Sequence, residues 1–197
     1  MYQINETYCG NFENKGSKFL SFLTPYKDFE PLLHSLKIQH PKAVHYVYAT
    51  RVYQSHIIES FSDDGEPKGS SGIPTLNVLR GEDLIDVGLI IVRYFGGTLL
   101  GVGGLVRAYT KSAQDAIQQA KNNGGYQMFV QKVQWEIVIS YPHLRQVEYF
   151  CKHCDINIID KNFQAQEVGL KLESTQEKKL EFEVFITQNQ FGCGRRI

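Results

Sequence analysis

The sequence lacks an excess of charge of either sign. Its 197 residues include 21 Lys and Arg against 21 Asp and Glu, with 12 of each sign up to Val130 and 9 of each after it. Bulk affinity for nucleic-acid phosphates comes from a basic excess, so any binding to RNA has to depend on a local patch. A net charge near zero also leaves little repulsion between copies of the chain.

Long apolar runs are also missing. No segment approaches the ~18 apolar residues that a membrane-spanning helix needs. The first residues, Met1 to Glu6, have neither a basic start nor an apolar stretch, so we expect no secretory signal. These features predict a cytosolic protein with no membrane partner. Hydrophobic residues still make up 42% of the chain, which is enough for a packed core.

Cysteine is scarce, and we expect free thiols. Cys151 and Cys154 have the spacing of a metal-ligand pair, and Cys193 with His143 or His153 would complete four ligands. The pair lies in a predicted helix rather than a zinc knuckle, so ordinary helix cysteines are the favoured interpretation. We predict no metal and no cofactor. The four cysteines are Cys9, Cys151, Cys154 and Cys193.

The most informative segment runs from Phe61 to Ile117. It opens with turn-forming residues from Ser62 to Gly72, which exclude a helix or an interior strand. Val87 to Phe95 is apolar on both faces and predicts a central strand that is buried on both sides. Five glycines then precede a helix predicted to start at about Leu105: Gly96, Gly97, Gly101, Gly103 and Gly104.

Arg93 lies at an inward position of the predicted central strand. A buried arginine needs a partner, and Asp63, Asp64 and Glu66 are candidates. The glycine-rich stretch allows backbone N–H groups to point at an anion near the helix N-terminus. For Arg93 and Arg107, the sequence leaves structural ion pairing and anion binding equally open.

The acidic residues have three interpretations. Their carboxylates neutralise Arg93 or Arg107, or they form an interaction surface, or they hold Mg²⁺ or act as acid and base. The first is favoured. The glycines lack the Lys-Ser/Thr ending of a P-loop, and no Gly-x-Ser-x-Gly motif is present. We therefore predict no catalytic residue.

Aromatic and histidine side chains on the other strands give weaker signals. His45 lies on an alternating strand, where a hydrogen-bonded core histidine is favoured over a general base. Four tyrosines offer stacking faces for RNA bases, although core and rim positions are the favoured interpretation. They are Tyr46, Tyr48, Tyr53 and Tyr94.

Three sequence blocks together resemble the IMPACT/YigZ family of small cytosolic proteins. Two shorter stretches upstream, Gly16 to Phe19 and His40 to His45, are also similar to the family, and the resemblance covers about residues 15 to 120. Arg51 matches the family as well and is expected to join the charged cluster. The blocks are Ser62-Asp63-Asp64-Gly65-Glu66-Pro67, Arg93-Tyr94-Phe95-Gly96-Gly97, and Leu100-Gly101-Val102-Gly103-Gly104-Leu105-Val106-Arg107-Ala108-Tyr109.

The resemblance implies an α+β protein of two domains. Residues 1–128 are expected to share the fold of the second domain of small-subunit ribosomal protein five. Residues 129–197 are expected to form a ferredoxin-like βαββαβ domain that resembles domain five of elongation factor G. Between residues 175 and 197 the alternation of apolar side chains favours a strand, whereas the resemblance implies a helix and a short last strand. We follow the resemblance.

Periodicity and turn residues predict the individual elements. A break at Asn122 to Gly125 marks the approach to the domain boundary. The predicted strands are residues 18–26, 44–53, 55–61, 87–95, 134–141, 156–161 and 165–172, and the predicted helices are residues 28–39, 71–79, 104–121 and 142–154.

The resemblance also implies a function in translation. Eukaryotic members of the family restrain the amino-acid-starvation kinase of translation initiation by competing for its activating partner. They carry a further N-terminal domain, which this chain is expected to lack. We therefore predict a non-enzymatic cytosolic binding protein that is linked to translation regulation through contact with the ribosome or RNA, or with a protein partner.

Two alternatives stay open. One is a small dipeptidase-like hydrolase or ligand-binding enzyme that uses Arg93 and the acidic loop, which predicts a deep pocket there. The other is a protein-binding adaptor, which predicts an exposed apolar patch, whereas RNA contact predicts an open, basic, aromatic-lined face. The sequence leaves the oligomeric state open. The predicted binding surface comprises Arg51, Asp63, Asp64, Glu66, Arg93, Tyr94, Gly96, Gly97, Gly101, Gly103, Gly104 and Arg107.

Overall fold

A computed structural model describes residues 1–189 and residue 191. The chain divides into two compact units, Met1–Phe129 and Val130–Ile197. The predicted α+β class is confirmed, since helices and antiparallel sheets occur in both units. The proposed likeness of each unit to a ribosomal protein and an elongation factor stays a prediction.

The first unit is built around a five-stranded antiparallel sheet in the order β2-β3-β6-β4-β5. A separate pair of short strands, β1 and β7, joins the two ends of the unit. Its elements are β1 (Tyr2–Ile4), β2 (Tyr8–Asn14), β3 (Ser17–Pro25), α1 (Tyr26–Gln39), β4 (His45–Tyr53), β5 (Ile57–Ser62), α2 (Gly72–Gly81), β6 (Val87–Tyr94), α3 (Gly101–Asn122) and β7 (Tyr126–Met128).

Helices cover both faces of this sheet. Strand β6 is central and its first seven residues are buried, which confirms the predicted strand. On one face Ile90 and Val92 pack with Phe29 of α1. On the other, Leu89 and Ile91 pack into the core that contains residues of α2 and α3. The two helical layers explain why β6 is apolar at every position up to Arg93.

Two parts of the first unit differ from the sequence-based prediction. Strands β1, β2 and β7 were not predicted, because β1 and β7 are short and β2 contains few β-branched residues. Helix α3 begins at Gly101, so Gly101, Gly103 and Gly104 belong to its first turns and not to a loop. Glycine has a low helix propensity, which the packing of Leu105 and later residues overrides.

The second unit contains a three-stranded antiparallel sheet in the order β8-β10-β9 with two helices. The last helix confirms the expectation from the family resemblance and shows that the strand alternation was misleading. The predicted last strand lies outside the described residues. The elements are β8 (Val133–Ser140), α4 (Tyr141–His153), β9 (Asn157–Phe163), β10 (Glu167–Ser174) and α5 (Gln176–Gln188).

The cysteines of the described segments are free thiols. Cys151 is buried in the core of the second unit, and burial raises the pKa of its thiol to about 11, so the thiol stays protonated at neutral pH. Within residues 1–189 and 191, no group of three His, Cys, Asp or Glu side chains has the arrangement of a metal site. Cys193 lies outside the described residues.

None of the helices in the described part of the chain has the length and apolarity needed to cross a membrane.

Gly10 tests the packing of β2 against α3. A Cβ at this position would lie 2.5 Å from the backbone nitrogen of Ala116 and 2.6 Å from Ser21 Oγ. We expect Gly10→Ala to lower the free energy of unfolding by about 1–3 kcal/mol, measured by urea denaturation. The control is Gly81→Ala near the end of α2, where a Cβ meets no atom within 4 Å. Equal effects of the two substitutions would contradict this packing.

Candidate functional site

The loop between β5 and α2 is organised by the carboxylate of Asp63. Its oxygens accept hydrogen bonds from the backbone nitrogens of Gly69 and Gly72, both at 2.8 Å, and from Ser71 Oγ at 2.7 Å. Burial raises the pKa of Asp63, but these hydrogen bonds outweigh burial and hold the pKa below its usual value. Asp63 therefore stabilises the start of α2 from within the chain.

Glu66, from the same loop, is the centre of a buried polar cluster. Its side chain is 3% exposed. Oε1 accepts hydrogen bonds from Arg93 Nη1 at 2.5 Å and from the Tyr109 hydroxyl at 2.8 Å. Of the two interpretations that the sequence leaves open for Arg93, the structure shows the ion pair: Arg93 is buried and paired with an acidic residue of the loop. We call Glu66, Arg93, Tyr109 and His45 the Glu66 cluster.

Tyr109 completes the cluster from α3. Burial, together with the charge of Glu66, raises the pKa of its hydroxyl. The hydroxyl therefore stays protonated and donates a hydrogen bond to the carboxylate. The sequence placed Tyr109 in the core but did not predict its contact with Glu66. The available signal was general, since the hydroxyl of a buried tyrosine needs a hydrogen-bond partner.

His45 links β4 to the acidic loop. Its Nδ1 lies 2.7 Å from the carbonyl oxygen of Asp64, and because a carbonyl only accepts, Nδ1 carries a proton. Its Nε2 lies 3.8 Å from Glu66 Oε1. Asp64 also accepts a hydrogen bond from the backbone nitrogen of Tyr46 at 2.6 Å. The hydrogen bond predicted for His45 is confirmed, but the side chain is 22% exposed and is not a core residue. Both ring nitrogens face the loop.

The start of α3 is open to solvent. Its N-cap residue, Leu100, makes no side-chain hydrogen bond to the helix, and the first turn contains no acidic residue. Gly101 and Gly103 are exposed. Exposed Arg107 brings Nη1 to 3.8 Å from the position that a Cβ on Gly103 would occupy. Among the described residues Arg107 makes no ion pair, so a cation lies free beside free N–H groups.

Apolar side chains surround this helix start. Phe95 is 48% exposed, Leu99 85% and Val102 57%. We call these three residues, with Gly97, Gly101, Gly103 and Arg107, the helix-start surface. It combines hydrogen-bond donors, one positive charge and exposed apolar area within a single stretch of chain.

Two residues of the predicted surface lie elsewhere. Arg51 is buried and pairs with Glu59, with Nε 2.9 Å from Oε1. It follows His45 by six positions on β4, about 20 Å along the strand, so the expectation that Arg51 joins the charged cluster is wrong. Tyr94 packs on the α1 face of the sheet and its hydroxyl is hydrogen-bonded to His40 at 2.8 Å. Because side chains alternate along a strand, Tyr94 lies on the opposite face of the sheet from Arg93.

The other predicted residues have mainly structural roles. A Cβ on Gly96 would lie 1.9 Å from the carbonyl carbon of Gly16, so Gly96 permits close contact of two backbones. Gly104 is buried. Asp63 and Glu66 are occupied by contacts within the protein. Tyr46 and Tyr48 pack in the α1-side core, which supports the core interpretation of these tyrosines.

The surface clefts of the first unit include three that neither Arg93 nor Glu66 lines. One of about 490 Å³ lies between the β1 segment and the start of α1, with Asn5, Lys27 and Asp86 among its lining. The others lie along α3, one against β2 and one against α2.

Comparison with known proteins identifies the family. The family model for the Impact N-terminal domain matches residues 15–117. An IMPACT family member from Haemophilus influenzae is 34% identical over 158 residues, covering 78% of this chain and 75% of that protein. The chain belongs to the IMPACT family. The family member YigZ from Escherichia coli is 32% identical over 158 residues, covering 78% of this chain and 76% of that protein.

Two solved structures are also similar to this chain. The crystal structure of a hypothetical protein covers 98% of this chain and 94% of its own, with 28% identity and a TM-score of 0.76. The structure of the two-domain translational regulator Yih1 aligns with 60% of this chain at 21% identity and a TM-score of 0.36. That similarity is too low to support an argument about this chain.

Glu66→Gln tests the Glu66 cluster. Removing the charge leaves the Arg93 guanidinium buried without a counter-ion, and breaking a buried pair in this way costs about 3–5 kcal/mol. We expect a loss of that size in urea denaturation. The matched control is Glu30→Gln, at an exposed position of α1, because Glu30 has no ion pair among the described residues. Equal stability of the two variants would refute the central role of Glu66.

Asp63→Asn tests the loop through pH. The folded-state pKa of Asp63 is lowered, so its ionised form stabilises the protein above the unfolded-state pKa, and this stabilisation is lost as pH falls through the folded-state value. We expect the variant to be about 2 kcal/mol less stable at pH 7. Its free energy of unfolding should also fall less than that of wild type between about pH 5 and pH 2. Asp28→Asn, an exposed position on α1, should keep the wild-type profile.

Proposed function

We propose that this chain is a non-enzymatic cytosolic binding protein that acts in translation regulation and contacts the ribosome, or RNA, through the helix-start surface. The observation that carries the proposal is the exposed start of α3, without a side-chain cap, beside Arg107, which has no ion pair within residues 1–189 and 191. Membership of the IMPACT family supports the link to translation, because the family resemblance implies regulation of translation initiation in its eukaryotic members.

The chemistry of this surface suits phosphate groups. Unpaired N–H groups at a helix N-terminus and the helix dipole both favour an anion. Glycines at positions 101 and 103 allow close approach of a phosphate oxygen, and the Arg107 guanidinium supplies a charge-assisted donor. Phe95, 48% exposed, offers a face on which a base can stack. This is the local patch that a chain with no net charge needs.

The proposed contact surface has fewer residues than the surface predicted from the sequence. Arg93 has its charge neutralised by Glu66, and Arg51 and Tyr94 are directed elsewhere. The proposed contact residues are therefore Gly97, Gly101, Gly103 and Arg107, with Asp64 and Gly65 as exposed positions on the neighbouring loop.

A protein-binding adaptor is the second candidate, and one observation favours it. Leu99 is 85% exposed and Val102 57%, and exposed apolar residues grouped in this way are typical of protein interfaces. For a dipeptidase-like hydrolase, the described clefts supply no comparable support, because none joins Arg93 to the acidic loop.

Co-sedimentation with ribosomes across a salt series tests the proposal. We expect the wild-type protein to bind and to lose affinity as salt rises. Arg107→Ser should weaken binding roughly tenfold, as expected for one charge-assisted contact of about 1.4 kcal/mol. It should also reduce the slope of log affinity against log salt by about 0.7–1.

The control is Lys42→Ser, an exposed cation in the loop before β4 with no ion pair among the described residues. It should bind as the wild type does. Failure of the wild type to sediment at low salt overturns the ribosome proposal. Binding that is lost in Leu99→Ser but kept in Arg107→Ser supports the adaptor instead.

A further inference from the structure

Strand β5 forms one edge of the five-stranded sheet. It pairs with β4 on one side, and no described strand pairs with it on the other. Alternate N–H and C=O groups along that side therefore have no partner within the sheet. Most residues of the strand are exposed, so this edge is accessible to another chain.

The composition of β5 does not protect its edge. Natural edge strands avoid association by lysine, proline, a bulge or short length. Strand β5 has six residues without lysine or proline, and its pairing with β4 runs without a register shift. Three of its side chains are apolar and exposed: Ile57 at 38%, Ile58 at 39% and Phe61 at 43%.

The charge on this strand is neutralised within the chain. Glu59 lies 2.9 Å from Arg51 Nε and 2.5 Å from Arg80 Nη2. The pKa of Glu59 is lowered, mainly by its hydrogen bonds from Arg80. The charge of Arg80 and the hydrogen bond and charge of Arg51 add smaller effects, and together these outweigh the opposing effect of burial. The carboxylate therefore stays ionised at neutral pH beside two cations of its own chain, so its charge opposes pairing only where a second carboxylate lies directly opposite.

The opposite edge of the sheet shows a contrasting arrangement. On β2, the outward backbone nitrogen of Asn11 donates to Asp115 Oδ2 of α3 at 2.8 Å. A side chain thus occupies a donor at the β2 edge. No described side chain makes such a contact with the backbone of β5.

We propose that two copies of this chain pair through β5, antiparallel and across a two-fold axis, to form a continuous ten-stranded sheet. A two-fold axis perpendicular to the sheet places residues of the same face opposite each other. Both copies then contribute the same strand to the contact, so the interface is isologous and closes at two copies. The net charge of zero leaves no overall repulsion between the copies.

Charge also fixes the register. An axis at Glu59 would place two carboxylates directly opposite each other, which is unfavourable. An axis at Ser60 avoids this and pairs Glu59 with Phe61 of the second copy. It also pairs Ile58 with Ser62, and it keeps most of the strand in register. This dimer is independent of the proposed function and would present two helix-start surfaces.

Analytical ultracentrifugation tests the dimer. The chain mass is 22.5 kDa, so we expect the wild type to reach twice that mass at concentrations up to about 100 μM. Ile58→Lys places a charge at the edge and should return the protein to the mass of one chain. The matched control is Ile38→Lys on α1, where an apolar residue is 67% exposed, and it should stay dimeric.

The outcomes are decisive in both directions. A wild type with the mass of one chain over this concentration range overturns the proposal. A dimer that persists in Ile58→Lys, or that is lost equally in Ile38→Lys, shows that β5 does not form the interface. Circular dichroism of both variants shows that each is folded.

Cross-linking tests the register. Directly opposed residues of an antiparallel pair have Cα atoms about 4.5–5.5 Å apart, which permits a disulfide. With the axis at Ser60, Ser60→Cys should give a covalent dimer under mild oxidation. Ser62→Cys, which lies opposite Ile58, should give no more cross-link than the wild type does with its own cysteines. The reverse result overturns the register.

Discussion

The carboxylate of Glu66 is the interaction on which the first unit depends. It neutralises a guanidinium from the central strand, accepts a hydrogen bond from the hydroxyl of a tyrosine on α3 and faces a histidine from β4. Each contact strengthens because water is excluded from the cluster. One side chain from an irregular loop therefore connects a strand at the centre of the sheet, a helix above it and the neighbouring strand.

The family resemblance acquires a physical meaning from this cluster. Each of the three sequence blocks that carry it contributes one member: Glu66 from the first, Arg93 from the second and Tyr109 from the third. The blocks thus describe how the loop is held against the sheet. The surface available to a partner is a different part of the same blocks, where the glycines and Arg107 emerge from the cluster at the start of α3.

Much of the fold was predictable because periodicity reports burial. The central strand β6 and helix α1 follow from their apolar patterns, and the pairing of Arg93 follows from the cost of an unpaired buried charge. The partner of Arg51 was not predictable in the same way, whereas strand alternation does place Tyr94 on the face opposite to Arg93. A sequence pattern indicates a charge in a strand but not its partner, and Arg51 found Glu59 on the adjacent strand instead of the acidic loop.

Helix α5 shows how two signals compete. Leu180, Phe182 and Val184 alternate as in a strand, yet Thr175 caps a helix by accepting a hydrogen bond from the backbone nitrogen of Lys178. Glutamate and lysine occupy five further positions of the helix, and both are good helix formers. Only Phe182 of the helix is buried, so the alternation of apolar residues did not report a buried face.

The pairing of β1 with β7 has a consequence for folding of the first unit. Tyr2 pairs with Met128, and Ile4 with Tyr126. The backbone of Tyr2 is also hydrogen-bonded to Asp83 and Ile85, so every backbone partner of this residue lies far along the chain. Closing such long loops carries an entropic cost, and contacts of this kind slow folding. A shift of the short β1 segment would therefore break contacts with two distant parts of the unit at once.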